Sequence, residues 1–66
     1  MIRLTPEQAE ALGRCLPVHS RERVIAARSE EDLRLLQAAG AVMAIIDHHY
    51  HNVRLTDWAW KRFRNG

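Results

Sequence analysis

At 66 residues the chain has room for one domain, spanning residues 1 to 66, and none for a second core or a separate cofactor lobe. Hydrophobic residues make up 47%, charged residues 27% and aromatics 6%, which excludes a disordered tail and also a core built from rings, so aliphatics and alanine must do the packing. The net charge is +2, and residues 54 to 66 alone sum to +3, with Arg54, Lys61, Arg62 and Arg64 against Asp57; a positive excess confined to one end implies a local anionic contact.

Thr5-Pro6-Glu7-Gln8 opens the first element. A capping hydroxyl precedes a proline at the first helical position, and a glutamine three residues after the cap can bond back to it, so a helix is expected from Pro6. Ala9, Leu12 and Leu16 give it an apolar face, and Pro17 should end it. Pro17 to Ser20 is then a turn. Ser20 caps a second short helix running to Arg28, with Val24, Ile25 and Ala27 as its apolar patch. Residues 6 to 28 could on this basis form a helix-turn-helix presenting Arg21, Arg23 and Arg28 to nucleic acid, although a proline stands where such turns usually hold glycine.

Ser29-Glu30-Glu31-Asp32 is the clearest start, with a cap and three acids against the positive helix terminus. From it the series Leu35, Ala39, Val42, Ile46, His49, Val53 runs at alternating four and three spacing, and Leu33, Leu36, Gly40, Met43, Asp47, Tyr50 lies beside it. The spacing predicts one long helix from Glu30 to His51, apolar around most of its middle. Two short helices can barely surround it, so a homodimer is expected with Leu36, Gly40 and Met43 as its seam. The competing reading ends this helix at Gly40 and makes a small α/β unit, with strands near residues 23 to 27 and 42 to 46 paired across a helix. Asn52 to Thr56 is expected to be a turn, after which Thr56-Asp57 caps a last helix with Ala59, Trp60 and Phe63 inward. The fold expected overall is all-α, a three- to four-helix domain around one long central helix.

Asp47-His48-His49-Tyr50-His51 holds potential metal ligands, and a helix would bring Asp47 and His51, or His48 and His51, together. Adjacent histidines point about 100° apart on a helix and a complete site needs three or four ligands, so a solvated helix end, at most a pH-sensitive one, is the expectation. Cys15 and His19 are four apart, but Pro17 between them breaks the geometry of a thiolate and its base, leaving Cys15 as a core residue. Glu30, Glu31 and Asp32 are explained by the helix terminus they stabilise. No catalytic residue, cofactor or metal ligand is therefore expected.

Trp58, flanked on its helix by Arg62, has the composition of an interface anchor, because tryptophan and arginine are enriched among residues that dominate binding energy. The expected function is a small non-enzymatic protein-binding module, an adaptor or inhibitor that occludes a partner's surface through Trp58, Arg62, Arg64 and Arg54. Its size matches compact regulators of bacterial or phage type. The alternative is a small basic DNA- or RNA-binding regulator. A single cysteine and a start, Met-Ile-Arg-Leu-Thr-Pro, without an apolar lead suggest a cytoplasmic setting. The longest weakly polar run, Leu35 to Ile46, falls short of the roughly 20 residues a membrane span needs.

Overall fold

The computed structural model describes residues 3–66. Helix α1 (Pro6–Arg14) leads into a hairpin of β1 (Leu16–His19) and β2 (Val24–Ala26), joined by a 3-10 turn at Ser20–Glu22. Helix α2 (Glu30–Ala38) leads into a second hairpin of β3 (Val42–Asp47) and β4 (Asn52–Leu55), and α3 (Asp57–Asn65) closes the chain. The strands form one four-stranded antiparallel sheet in the order β1-β2-β4-β3. The chain thus repeats a helix-hairpin unit, and the two units meet where β2 pairs with β4.

The three helices contribute to a single core on one face of this sheet. Ala11, Leu12 and Cys15 come from α1 and its end, Leu33 and Leu36 from α2, Ala59 from α3, and Ile25, Val53 and Leu55 from the central strands. Ile25 pairs with Val53, and residues opposite each other on paired strands share a face. The alternate residues Val24, Arg54 and Ala44 therefore lie on the other face. Among the described residues, that second face carries no helix. The fold is a two-layer α/β domain, not the all-α bundle expected from the heptad spacing.

The predicted helix from Glu30 to His51 is overturned at Gly40. There φ is +71°, a left-handed conformation that glycine adopts without steric cost. Gly40 N–H donates to the Gln37 carbonyl and Ala41 N–H to the Leu36 carbonyl, both at 3.0 Å, the pair of bonds that closes a helix in a Schellman turn. Beyond it, Val42-Met43-Ala44-Ile45-Ile46 is rich in β-branched residues and forms β3. The competing α/β reading was right about strands near 23 to 27 and 42 to 46, but those strands do not pair with each other. β4 lies between them, with Ile25 and Ile45 each facing Val53.

The other corrections follow from the same layering. Ser20 to Arg28 is not a helix; after Glu22 the chain turns through Arg23 at φ +58° and extends as β2, so residues 6 to 28 form no helix-turn-helix. The segments expected as turns, Pro17 to Ser20 and Asn52 to Thr56, supply β1 and β4. The helical seam does not exist as one stripe. Leu36 is 0% exposed inside the core, Gly40 ends the helix, and Met43 stands on β3. Leu35 and Val42 are half-buried against the core while Ile46 is exposed, so the three do not share one helical face.

The capping arguments hold. Thr5 Oγ1 accepts from Gln8 N–H at 3.2 Å and Gln8 Oε1 accepts from Thr5 N–H at 2.9 Å. Ser29 and Thr56 cap α2 and α3 through Asp32 N–H and Ala59 N–H. Asp32 also ties α2 to α1. Its carboxylate, almost fully buried, accepts two bonds from the Arg14 guanidinium at 2.8 and 3.0 Å, a bidentate geometry that holds the carboxyl below its ordinary range. Among the described residues, no helix is long and apolar enough to cross a membrane.

Candidate docking groove

α3 begins one residue after β4, and Thr56 N–H donates to the Ala41 carbonyl at 2.9 Å, fixing the start of the helix against the sheet. Ala59, fully buried, lets the helix backbone approach closely. Trp60 and Phe63, one turn apart, then extend from the same side of the helix, their ring centroids 5.6 Å apart and their planes tilted by 34°. Across from them stand Pro17 of β1 and Ser20 and Arg21 of the 3-10 turn. Pro17 pairs with Ile25 and so points to the helix side. Between the two walls lies an open groove of about 550 Å³, lined by Pro17, Ser20, Arg21, Trp60, Phe63 and Arg64. A narrower cleft of about 210 Å³ on the far side of Phe63 separates α3 from α1 and takes in Arg62, Ala9, Leu12 and Gly13.

The charge of this region is unbalanced for a structural reason. Several of the other cations have acidic partners: Arg14 with Asp32, Arg34 with Glu30, Arg54 with Glu22 and Lys61 with Asp57. Among the described residues, Arg3, Arg21, Arg23, Arg28, Arg62 and Arg64 make no ion pair, and the groove holds two of them, Arg21 and Arg64, one on each wall. The rest of its lining is apolar and aromatic, apart from the Ser20 hydroxyl beside Arg21.

The residues expected to bind a partner do not form one surface. Arg64 lines the groove and Arg62 the cleft beyond Phe63. Trp58 is half-buried and packs on the core, as Trp60 does, but unlike Trp60 it does not line the groove. Arg54 lies on the helix-free face, where its guanidinium donates to the Glu22 carbonyl at 3.1 Å and to Glu22 Oε1 at 2.8 Å. Of the nucleic-acid candidates, Arg21 joins Arg64 in the groove. Arg23 is engaged inside the fold, donating from Nε to the Leu55 carbonyl at 3.0 Å, and Arg28 is exposed in the loop before α2. Sequence reasoning missed Pro17 and Ser20 as groove residues, and no spacing rule could have joined residues 17 to 21 to residues 60 to 64.

The histidine stretch forms the β3–β4 turn, with no helical face to gather ligands. His49 N–H donates to Asp47 Oδ1 at 2.8 Å, the His49 ring meets Tyr50 edge-on, and His51 Nε2 lies 3.6 Å from Glu30 Oε2. Among the described residues, no three His, Cys, Asp or Glu side chains come close enough to hold a metal ion. Cys15 is buried, its thiol donates to the Ala11 carbonyl at 3.2 Å, and burial pushes its pKa up to about 11. His19 faces Glu22 instead, at 4.0 Å.

Comparison with protein-family models, with curated proteins and with solved structures returns no match to this chain.

Proposed function

We propose that this chain is a small non-enzymatic protein-binding module, an adaptor or inhibitor that occludes a partner's surface, and that it docks through the side of the molecule where α3 faces the 3-10 turn. The observation that carries the reading is the groove itself, lined by the apolar side chains of Trp60, Phe63 and Pro17 with an arginine on each wall. Half-exposed aromatics beside arginine are the composition of an interface centre. The chemistry elsewhere fits a binding role better than a catalytic one. The thiol with pKa about 11 is a poor nucleophile at neutral pH, and the histidines and carboxylates are spread over turns and helix starts. The basic DNA- or RNA-binding alternative loses Arg23 and Arg54 to contacts inside the fold, which leaves a small cationic footprint. A buried free thiol suits action in the cytoplasm.

The test compares tagged wild-type chain with an Arg64→Glu variant in extract from the organism that makes it, by quantitative mass spectrometry, with titration of random DNA and RNA over a salt series alongside. The expected result is a protein captured by the wild type, displaced by excess untagged chain and lost with Arg64→Glu. Identical capture by both chains, or tight nucleic-acid binding that falls steeply with salt, would overturn the reading.

A further inference from the structure

From the groove we infer the chemistry of its occupant, an acidic peptide segment in which one large apolar side chain is flanked within one or two positions by aspartate or glutamate. The inference rests on the protein-binding reading and deepens it. Two independent features set the occupant. Trp60, Phe63 and Pro17 give an open groove of about 550 Å³ an apolar lining, so the side chain that displaces water from them must be large and apolar. The walls are cationic, with Arg21 on the 3-10 turn and Arg64 on α3. Neither has an acidic partner among the described residues, so each can take a carboxylate without breaking an existing pair.

The binding mode follows from the edge of the sheet. β1 is an edge strand with all four residues exposed, which would ordinarily invite strand addition. Pro17 has no N–H to offer, and the register shifts between Pro17 and His19, so the edge is a poor template for a ladder. Recognition therefore runs through side chains. A nucleic-acid strand fits the groove less well, since successive bases need a row of ring platforms and the groove offers only the tilted pair Trp60 and Phe63. A strand also needs cations that track its backbone, whereas the groove supplies one on each wall.

Short random peptides displayed on phage, panned against the full chain, provide the test, followed by titration of the enriched peptides, synthesised with a fluorophore, against wild type, Arg21→Glu, Arg62→Glu, Arg64→Glu and Trp60→Ala, with circular dichroism to confirm folding. The expected result is enrichment of peptides with an apolar residue between acids, and a loss of about tenfold or more with each charge reversal. The two arginine positions are exposed, so these variants keep the inference testable even if Trp60→Ala unfolds. Enrichment of neutral or basic sequences, no enrichment at all, or acidic peptides indifferent to both reversals would overturn the inference. Peptides lost with Arg62→Glu but indifferent to Arg21→Glu and Arg64→Glu would refute this groove while leaving the protein-binding reading standing. Oligo(dT) or oligo(U) that competes for the groove with a steep salt dependence would remove both.

Discussion

Leu36 and Ile46 provide the sharpest check on the layering, because the continuous helix and the two-layer sheet rank them in opposite order. On a helix from Glu30 to His51, Ile46 belongs to the core stripe and Leu36 to the outer one. In the structure Leu36 is 0% exposed between α2 and the sheet, whereas Ile46 is 49% exposed on the edge strand β3. Each substitution by alanine removes three carbons. For Leu36→Ala the lost transfer energy is about 2.4 kcal/mol at about 0.8 kcal/mol per methylene, and a cavity that helix and sheet cannot close raises the cost to about 3 to 4 kcal/mol. For Ile46→Ala about half the transfer energy is at stake and no cavity forms, so about 1 kcal/mol is expected. A domain of this size has a total stability of about 3 to 10 kcal/mol. Leu36→Ala should therefore bring it near its limit, with a melting temperature lower by about 20 °C or more, against about 7 °C for Ile46→Ala. Urea and thermal unfolding followed by circular dichroism measure both. Equal losses, or a larger loss for Ile46→Ala, would refute the assignment of β3 and of the core.

Further outcomes are expected from groups outside the groove. The Asp32 carboxyl is held below its ordinary value of 3.8 by the bonds from Arg14, so its stabilisation is complete above that value and is lost as pH falls through the lower folded value; Asp32→Asn should be less stable than wild type at pH 7, and thermal melts should show the gap closing below about pH 4. The Cys15 thiol, raised from 9.0 to about 11, should react with iodoacetamide at pH 8 far more slowly in the native chain than in urea, and since the unfolded thiol ionises first, stability should decline between pH 9 and 11; mass spectrometry of the labelled chain and melts over that range check the two statements. Gly40→Ala, at φ +71° with open space around the added methyl, should cost about 1 kcal/mol through backbone strain alone in urea unfolding, and a neutral result would contradict the left-handed cap.

Much of the local structure was determined by the sequence itself. Thr5, Ser29 and Thr56 each place a hydroxyl before a helix whose first amide donors lack partners, and all three helices begin at those caps. Such signals need only the neighbouring residues, so no tertiary contact can reverse them easily. The end of α2 was equally present in Gly40, but the four-three spacing of apolar residues from Leu35 to Val53 outweighed it. That spacing is ambiguous because a strand buried on one face and bulged twice, as β3 is between Val42 and Ala44 and between Ile45 and Asp47, interrupts strict alternation and can imitate a helical period. β4 carried a cleaner signal, since Asn52-Val53-Arg54-Leu55 alternates polar and apolar and the structure buries Val53 and Leu55, yet four residues are too few to stand against a histidine-rich run read as helix. Only the tertiary structure could decide which strands pair, because β2 meets β4 across a separation of 28 residues at Ile25 and Val53, and only it could form the groove. Trp60, Phe63 and Arg64 became one wall of a site when the fold brought α3 opposite Pro17 and the 3-10 turn, which supplies Arg21 on the other. A cation's partner is set by what the fold brings within a few ångströms. Arg54 and Arg23, which looked free in the sequence, are engaged inside the fold, and Arg21 and Arg64 are left to meet something outside it.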